Sequence, residues 1–205
     1  MIIHKVDQRT AEWNRLRRGI PTTSNFPKIV TPIECKPSKS ARPYMFRLVA
    51  ERLLNENFDF REVTEWMERG IELEPKAANR FEIDNECVLD PGYFLTDDSG
   101  RWGCSPDRII RGRNEAVEIK CKAPWNHIAY LIDGLEYDYK PQVQGQMMVG
   151  EFNTVHFYAY SDLLQPMHRV ILPDTKYIKD LHQHLTDFCD KLDETTHKVR
   201  RMLNG

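Results

Sequence analysis

The sequence has no long apolar run and no closely spaced cysteines. Its apolar runs all fall short of the roughly 18 residues needed to span a membrane, and residues 1–9 lack the apolar stretch of a signal peptide. The five cysteines show no C-x-x-C spacing, which gives no indication of a disulfide framework, a zinc knuckle or an iron–sulfur cluster. We therefore expect a cytoplasmic protein with buried free thiols and no membrane association.

A strong positive charge is also missing. The net charge is −2, so the chain lacks the overall basic character of a protein that coats nucleic acid. Any contact with a polyanion must be local, and each available basic group, taken alone, is more often a solvated face than a phosphate site. These groups are Arg15, Arg17 and Arg18, then Lys36, Lys39 and Arg42, then Arg108, Arg111 and Arg113, and finally Lys120 and Lys122.

The size and composition suit one domain. The chain has 205 residues, 40% of them apolar, which is enough to bury a substantial core. No internal repeat or low-complexity tract divides it, and the only candidate linker is the loop at 31–43, rich in proline, serine and lysine. We therefore expect residues 1–205 to form a single domain.

Apolar spacing and turn residues predict an α/β fold. Helical spacing of the apolar residues predicts helices at 45–53, 66–85, 124–132, 139–149 and 178–202. Short apolar runs between turn residues predict strands from Cys87 to Cys121 and near 155–160 and 167–172. Thr10 is expected to cap a further short helix that Gly19 ends, and Pro75 to kink or restart its helix. The apolar stripe of the last helix is either core or a subunit contact.

Two short segments hold the residues with the strongest chemical signal. Asp107, in Ser105-Pro106-Asp107, lies eleven residues before Glu118, in Glu118-Ile119-Lys120. On a strand, Glu118 and Lys120 point to one face while Ile119 points into the core. If 111–114 is a four-residue hairpin turn, Asp107 lies directly opposite Glu118, with their Cβ atoms roughly 5 Å apart. The three polar side chains then share one site.

The proximity of Asp107 and Glu118 favours a cation between them, because two carboxylates at that distance repel each other. All-oxygen ligation suits Mg²⁺, with Mn²⁺ as a substitute, since both bind one or two protein carboxylates, water and phosphate oxygens. Lys120 is placed to orient an attacking water or to neutralise charge in the transition state. A metal and a lysine together provide the functions that phosphodiester hydrolysis requires.

The E-x-K pattern alone is weak evidence, because it also occurs on exposed strands with a cross-strand ion pair. Here the strand at 116–121 is apolar, and two charges on one of its faces are costly unless they serve a site. Glu74, on the helix that leads toward the sheet, offers a third carboxylate, with a plain surface residue as the alternative. Gln142 and Gln146 share one face of an otherwise apolar helix.

The order of these motifs resembles that of the lambda exonuclease family, also called YqaJ-type viral recombinases, within the PD-(D/E)XK nuclease superfamily. The similar segments are Trp13-Asn14-Arg15-Leu16-Arg17 with Thr23-Ser24, Gly70-Ile71-Glu72-Leu73-Glu74 with Ala77 and Phe81-Glu82, Cys104-Ser105-Pro106-Asp107, Glu118-Ile119-Lys120-Cys121, and Gln142-Val143-Gln144. The resemblance implies a restriction-endonuclease-like α/β core, with a mixed central sheet flanked by helices and a long C-terminal helix.

The resemblance implies a role for each matching residue of the catalytic group. Asp107, Glu118 and the backbone carbonyl of Ile119 would bind Mg²⁺, and Glu74 would bind through water or a second metal. Lys120 would position the nucleophile, and Gln142 would belong to the same catalytic group.

A second set of matching residues implies a pocket for a terminal 5'-phosphate. It comprises Arg17, Ser24, Ser105 and Gln142, with Trp13 beside them on the DNA-binding side. A guanidinium suits this task because it binds phosphate through two hydrogen bonds. The alternative for Arg17 is a surface arginine in its basic group.

The resemblance also implies an activity and partners. Members of the family are magnesium-dependent nucleases that degrade the 5' strand of double-stranded DNA from its ends, leaving 3' overhangs for phage-type recombination by single-strand annealing. They form homotrimeric rings around DNA with 5'-phosphorylated ends and act with a phage single-strand annealing protein. For this chain the resemblance implies a single nuclease domain acting in a bacterial or phage-infected cell.

Two other functions remain open at this point. The same carboxylates and lysine cut internal phosphodiester bonds in other branches of the superfamily, so a structure-specific or restriction-like endonuclease is an alternative. A nonenzymatic DNA-binding module derived from a nuclease is another, although such a module has no use for the intact group Asp107, Glu118 and Lys120.

Overall fold

The computed structural model describes residues 1–58, 64–134 and 136–205, and the elements below lie within them. The helices are α1 (Ala11–Arg17), α2 (Phe26–Ile29), α3 (Ala41–Leu54), α4 (Glu65–Asn85), α5 (Pro124–Asp133), α6 (Glu136–Gly150) and α7 (Thr175–Asn204). The strands are β1 (Ile2–His4), β2 (Leu89–Pro91), β3 (Phe94–Thr96), β4 (Gly103–Cys104), β5 (Arg108–Ile110), β6 (Glu115–Lys120), β7 (Thr154–Ala159) and β8 (Met167–Ile171). A short 3-10 helix, Thr23–Asn25, precedes α2.

The strands form two sheets. The larger sheet has the order β2-β5-β6-β7-β8; β6 and β7 run parallel, and the other neighbours are antiparallel. The helices α5 and α6 form the crossover that a parallel pair requires. The smaller sheet, β1-β3-β4, is antiparallel. The strands predicted from Cys87 to Cys121 are thus divided between two sheets, and β1 was not predicted.

Helices pack on both faces of the larger sheet. Val117 and Ile119 of β6 belong to a cluster with Phe81 of α4 on one face. On the other face, Ala116 of β6 lies in the main core, to which α2, α3, α6 and α7 contribute. The predicted class is confirmed: an α/β fold with a mixed sheet, flanking helices and a long C-terminal helix.

The ends of the helices largely follow the predicted signals. The Thr10 side chain accepts a hydrogen bond from the Trp13 N–H and caps α1, and Gly19, with φ of 68°, follows the helix. The expectation that Pro75 restarts its helix is wrong, because α4 continues through it. Burial of Ala77 and Phe81 on α4 stabilises the helix enough to offset the hydrogen bond that proline removes.

The last helix and the loop before α3 each refine one prediction. The stripe of α7 is core along Leu181, Leu185 and Leu192, which are fully buried, whereas Met202 is exposed. The loop predicted at 31–43 ends earlier, because α3 begins at Ala41. In the described ranges, no helix combines the length and the apolar character needed to cross a bilayer.

Candidate active site

The register of β5 and β6 brings Asp107 to Glu118. The strands pair Arg108 with Val117 and Ile109 with Ala116, and extending this register by one residue sets Asp107 opposite Glu118. The Asp107 Oδ2 atom accepts a hydrogen bond from the Ile119 N–H at 2.7 Å, so this carboxylate lies against the backbone of β6. The predicted hairpin register is therefore confirmed.

Alternation along β6 separates the polar residues from the apolar ones. The Lys120 ammonium donates to Glu118 Oε1, so both side chains lie on one face of the strand. Ile119, between them, packs into the apolar cluster with Phe81 on the opposite face. This arrangement follows from the two-residue period of a strand and agrees with the prediction.

Glu118 is held by two glutamines of α6. Its side chain is almost completely buried, Oε1 accepts a hydrogen bond from Gln142 Nε2 at 2.6 Å, and Oε2 accepts one from Gln146 Nε2. The two glutamines lie one helical turn apart, as their shared face predicted. Gln144 lies on another side of α6, where its amide donates to the Leu172 carbonyl.

Glu74 reaches the site from α4. One of its oxygens accepts from Arg9 Nη2 at 2.6 Å and the other from Arg108 Nη1 at 3.0 Å. Arg108 also donates to the Asp107 carbonyl at 2.6 Å and so links the two acidic residues. Gly70, on the same helix, packs so closely that an added Cβ would lie 2.9 Å from the Cys121 carbonyl, which fixes α4 near the end of β6.

Burial and neighbouring charges shift the pKa values of Asp107 and Lys120. Burial, followed by the negative charge of Glu118, raises the pKa of the Asp107 carboxyl to about 8, and Lys120 acts in the opposite direction. Burial lowers the pKa of Lys120, but the charges of Glu118 and Asp107 outweigh burial and leave it above its ordinary value. Lys120 therefore stays cationic. A further cation near Asp107 would favour the charged form of its carboxylate.

The donor chemistry of this site fits a hard cation such as Mg²⁺. The side chains of Asp107, Glu118 and Glu74 offer only oxygen atoms, and Asp107 and Glu118 are close enough to disfavour a shared negative charge. Across the described parts of the chain, no group of three or more His, Cys, Asp and Glu side chains is arranged to hold a metal ion. The carboxylate oxygens instead accept hydrogen bonds from lysine, arginine, glutamine and backbone donors.

A second cluster, the Arg17 cluster, contains the predicted residues Trp13, Arg17, Ser24 and Ser105. Ser105 Oγ accepts from Trp13 Nε1 at 3.0 Å and from Arg17 Nη1 at 3.4 Å, and the Arg17 guanidinium lies 3.9 Å above the Trp13 ring. Arg17 also donates to the Thr22 hydroxyl, which lies 3.4 Å from that of Ser24. The structure thus brings together four of the five residues predicted for the phosphate pocket.

The fifth residue predicted for the phosphate pocket, Gln142, donates a hydrogen bond to Glu118 instead. The acidic group and the Arg17 cluster are nevertheless connected through the chain, since Ser105 lies two residues before Asp107.

Sequence reasoning missed two residues at the site, Gln8 and Arg9. Their contacts join positions that are far apart in the chain, from Arg9 to Glu74 and from Gln8 to Pro106. Neither residue belongs to a motif, so no pattern in the sequence could reveal these contacts. The only local signal is Thr10, which marks where the N-terminal segment turns into α1.

A family model decides the relationship of this chain to known proteins. Residues 12–153, more than two thirds of the sequence, match the model of the YqaJ-like viral recombinase domain. The chain belongs to the YqaJ-like viral recombinase family. This confirms the resemblance drawn from the motifs. No protein with a curated description matches the sequence.

Solved structures of exonucleases share the fold of this chain. The alkaline exonuclease LHK-Exo from Laribacter hongkongensis superposes with a TM-score of 0.85 at 26% identity, covering 95% of this chain and 98% of that one. A structure of LHK-Exo in complex with dAMP gives the same values. A phage-related exonuclease from Haemophilus somnus 129PT superposes with a TM-score of 0.69 at 15% identity, covering 91% and 99% of the two chains. The family and LHK-Exo together support a nuclease function, and the Haemophilus structure supports the fold.

Proposed function

We propose that the protein is a Mg²⁺-dependent exonuclease that degrades the 5' strand from the ends of double-stranded DNA. The 3' overhangs that remain are substrates for phage-type recombination by single-strand annealing. The observation that carries the proposal is the juxtaposition of Asp107, Glu118 and Lys120 at one end of the β5–β6 pair. The likeness to the alkaline exonuclease LHK-Exo supports an exonuclease activity.

Asp107, Glu118 and the Ile119 backbone carbonyl would hold the first Mg²⁺, and Glu74 would bind through water or a second ion. Bound Mg²⁺, or Mn²⁺ in its place, supplies a Lewis acid for the phosphate oxygens and an activated water. Gln142 and Gln146, both on α6, orient the carboxylate of Glu118 by donating to its two oxygens. Such hydrogen bonds to a ligand residue fix its position and tune its basicity.

Lys120 acts as a fixed positive charge in this proposal. Burial lowers its pKa, but the charges of Glu118 and Asp107 outweigh burial and raise it, so the ammonium is protonated and can position the attacking water by donating a hydrogen bond. A cation beside the scissile phosphate stabilises the negative charge that develops in the transition state. Its contact with Glu118 holds the ammonium on the face where the carboxylates lie.

The proposed 5'-to-3' direction of digestion depends on phosphate binding by the Arg17 cluster. Arg17, Ser24 and Ser105 would hold the terminal 5'-phosphate beside Trp13, with Gln142 at the boundary to the acidic group. Ser105 lies two residues before Asp107, so a phosphate bound there sets the terminal nucleotide next to the catalytic residues. LHK-Exo, which resembles this chain, has been crystallised with the nucleoside monophosphate dAMP, a molecule with the chemistry of such a terminal nucleotide.

The proposal extends to the assembly and the setting of the protein. A homotrimeric ring around the duplex would retain DNA by topology, without the overall basic charge that this chain lacks. Residues 1–205 would form one nuclease domain of that ring. A single-strand annealing protein would take up the exposed 3' strand in the cytoplasm of a bacterial or phage-infected cell.

The test is digestion of linear duplex DNA labelled separately at each terminus, with Mg²⁺ or with a chelator, beside a covalently closed circle. We expect Mg²⁺-dependent loss of the 5' label and an intact circle. The matched control is Glu118→Gln, which keeps the side-chain shape but removes the negative charge. Nicking of the circle would identify an endonuclease instead, and the absence of any cleavage would leave a DNA-binding module.

A further inference from the structure

The N-terminal segment, residues 1–10, forms a strap along one side of the acidic site. β1 anchors it by pairing with β3, and Thr10 connects it to α1. Between these anchors, residues 7–9 line a cavity of about 250 Å³ together with Glu74 and Asp107. The strap precedes residues 12–153, the span that matches the family.

Gln8 of the strap fastens the backbone next to Asp107. Its Nε2 atom donates to the Pro106 carbonyl at 2.8 Å and to the Gly92 carbonyl at 3.2 Å. The Gly92 N–H in turn donates to the Asp107 carbonyl at 3.2 Å. The two segments are so close that a Cβ at Gly92 would lie 1.7 Å from the Pro106 oxygen. Gln8 thus closes a tight junction that includes the peptide of Asp107.

Arg9 of the strap brings a positive charge to Glu74. Its Nη2 atom lies 2.6 Å from Glu74 Oε2, while Arg108 contacts the other oxygen. Arg9 has a φ of 68°, in the left-handed region that disfavours residues with a side chain. Half of its side chain is exposed, so this ion pair is open to exchange with a solvent cation. Arg9 and a cation are alternative partners for the same carboxylate.

We propose that the N-terminal strap sets the affinity of the acidic site for a divalent cation. Gln8 is a positioning residue that raises this affinity by holding the peptide that leads into Asp107. Arg9 lowers it by competing with the cation for Glu74. This inference rests on the proposed metal-dependent function and assigns the strap to its site.

The test measures Mn²⁺ binding to the full chain by electron paramagnetic resonance, without DNA. Gln8→Met removes both hydrogen bonds from the Gln8 amide and keeps a similar side-chain volume. We expect about tenfold weaker Mn²⁺ binding, which is the smallest loss typical of residues that hold a metal ligand in place. Arg9→Gln removes the competing charge, and we expect about threefold tighter binding, as suits a half-exposed ion pair. A purely structural role of the strap predicts weaker binding in both variants.

Matched controls lie far from the strap. Gln183→Met removes an exposed glutamine that donates to Asp187, and Arg80→Gln removes an arginine of similar exposure that pairs with Asp84. Both should bind Mn²⁺ like the wild type. For Gln8→Met we also expect a lower kcat in DNA digestion with an unchanged KM for the DNA end, because Gln8 donates to the Pro106 and Gly92 carbonyls and so acts on the backbone beside Asp107.

The outcomes separate the strap from the proposed function. If the wild type binds Mn²⁺ and digests DNA while both strap variants match it, the strap inference alone is overturned. The same holds if Arg9→Gln weakens binding. If the wild type neither binds Mn²⁺ nor digests DNA, the proposed function itself has failed and the inference falls with it.

Discussion

Asp107 combines two unfavourable conditions, burial and a neighbouring carboxylate. Its Oδ2 atom keeps one strong hydrogen bond, from the Ile119 N–H at 2.7 Å, and its pKa is nevertheless raised to about 8. Without a cation, Asp107 is therefore mostly protonated at neutral pH in the folded protein, and this uptake of a proton costs stability. Active sites commonly carry such a cost, because the groups that bind the substrate or cofactor are not optimal for stability alone.

We predict that Asp107→Asn stabilises the protein in the presence of a chelator. Asparagine still accepts the hydrogen bond from Ile119 and is neutral beside Glu118 without having to take up a proton on folding. The midpoint of thermal unfolding should rise by about 2–4 °C, which corresponds to about 1 kcal/mol in a chain of this size. Asp187→Asn, at an exposed position, is the control. A lower midpoint for Asp107→Asn would contradict the electrostatic account of the site.

Lys120→Ala should remove most of the catalytic activity. We expect kcat for DNA digestion to fall by about 10²–10³, the loss typical when one group that stabilises the transition state is deleted. Folding and DNA-end binding should be retained, since Glu118 keeps its hydrogen bonds from Gln142 and Gln146. Lys176→Ala, in an exposed ion pair with Asp180, should behave as the wild type. Wild-type rates in Lys120→Ala would rule out the proposed role.

Arg17→Ala should reduce the preference for 5'-phosphorylated over 5'-hydroxyl ends. The loss of a charged donor to phosphate predicts about a tenfold smaller ratio of the two kcat/KM values. Arg17→Lys keeps the charge but loses the two-pronged geometry, so it should recover only part of the preference. The ratio is measured with paired duplexes that differ only in the terminal phosphate. An unchanged ratio would exclude Arg17 from the phosphate pocket.

At the scale of secondary-structure elements, the site depends on three packing relations. The β5–β6 register aligns Asp107 with Glu118, α6 presents Gln142 and Gln146 to β6, and α4 approaches β6 closely enough to deliver Glu74. The last of these needs Gly70, since a side chain there would meet the Cys121 backbone at 2.9 Å. The β5–β6 register is that of a local hairpin, whereas the approaches of α4 and α6 to β6 join segments that are far apart in the chain.

The pair β7–β8 carries a histidine chain on the face that packs against α4. His156 Nδ1 lies 2.9 Å from His168 Nε2, and His156 Nε2 lies 2.8 Å from Glu115 Oε2. The rings also pack against Phe81. Burial, with a further contribution from His156, lowers the pKa of His168 below its ordinary value of 6.5.

This shift predicts how stability depends on pH. Because the pKa of His168 is lower in the folded state, its contribution is fully present above pH 6.5 and is lost as the pH falls toward the folded-state pKa. We expect the free energy of unfolding to decline as the pH falls below about 6.5, and His168→Asn, which cannot be protonated, to reduce that decline. Denaturant unfolding at several pH values measures it, and an identical slope in both proteins would refute the assignment.

At the scale of the whole molecule, a net charge of −2 has to be reconciled with binding to a polyanion. Several arginines are neutralised by carboxylates, as in the pairs of Arg111 with Asp90 and Arg101 with Asp190. In the proposed function, affinity for DNA would therefore depend on the local Arg17 cluster and on how copies of the chain assemble. An assembly that surrounds the duplex reduces the need for a basic surface.

We predict that the protein in solution is a homotrimer. Light scattering coupled to size-exclusion chromatography should give three times the chain mass of 24.2 kDa. A ring also predicts processive digestion, with long products persisting when unlabelled competitor DNA is added after the reaction has started. A monomer that digests processively would show that retention on DNA has another cause.

The sequence by itself determined the local features of this protein. Alternation on β6, the hairpin register from Asp107 to Glu118 and the shared face of Gln142 and Gln146 all follow from the fixed periods of strands and helices. The cap at Thr10 and the long apolar stripe of α7 follow from equally local rules. Motif order was enough to identify the family, since it depends on residue identity and spacing alone.

Only the tertiary structure decided the contacts between distant segments. The division of the strands into two sheets, the pairing of β1 with β3 and the continuity of α4 through Pro75 depend on packing that outweighs local preference. Gln8 and Arg9 reach Pro106 and Glu74 across long stretches of chain. No periodic pattern encodes such a contact, because it exists only once the core has brought the two segments together.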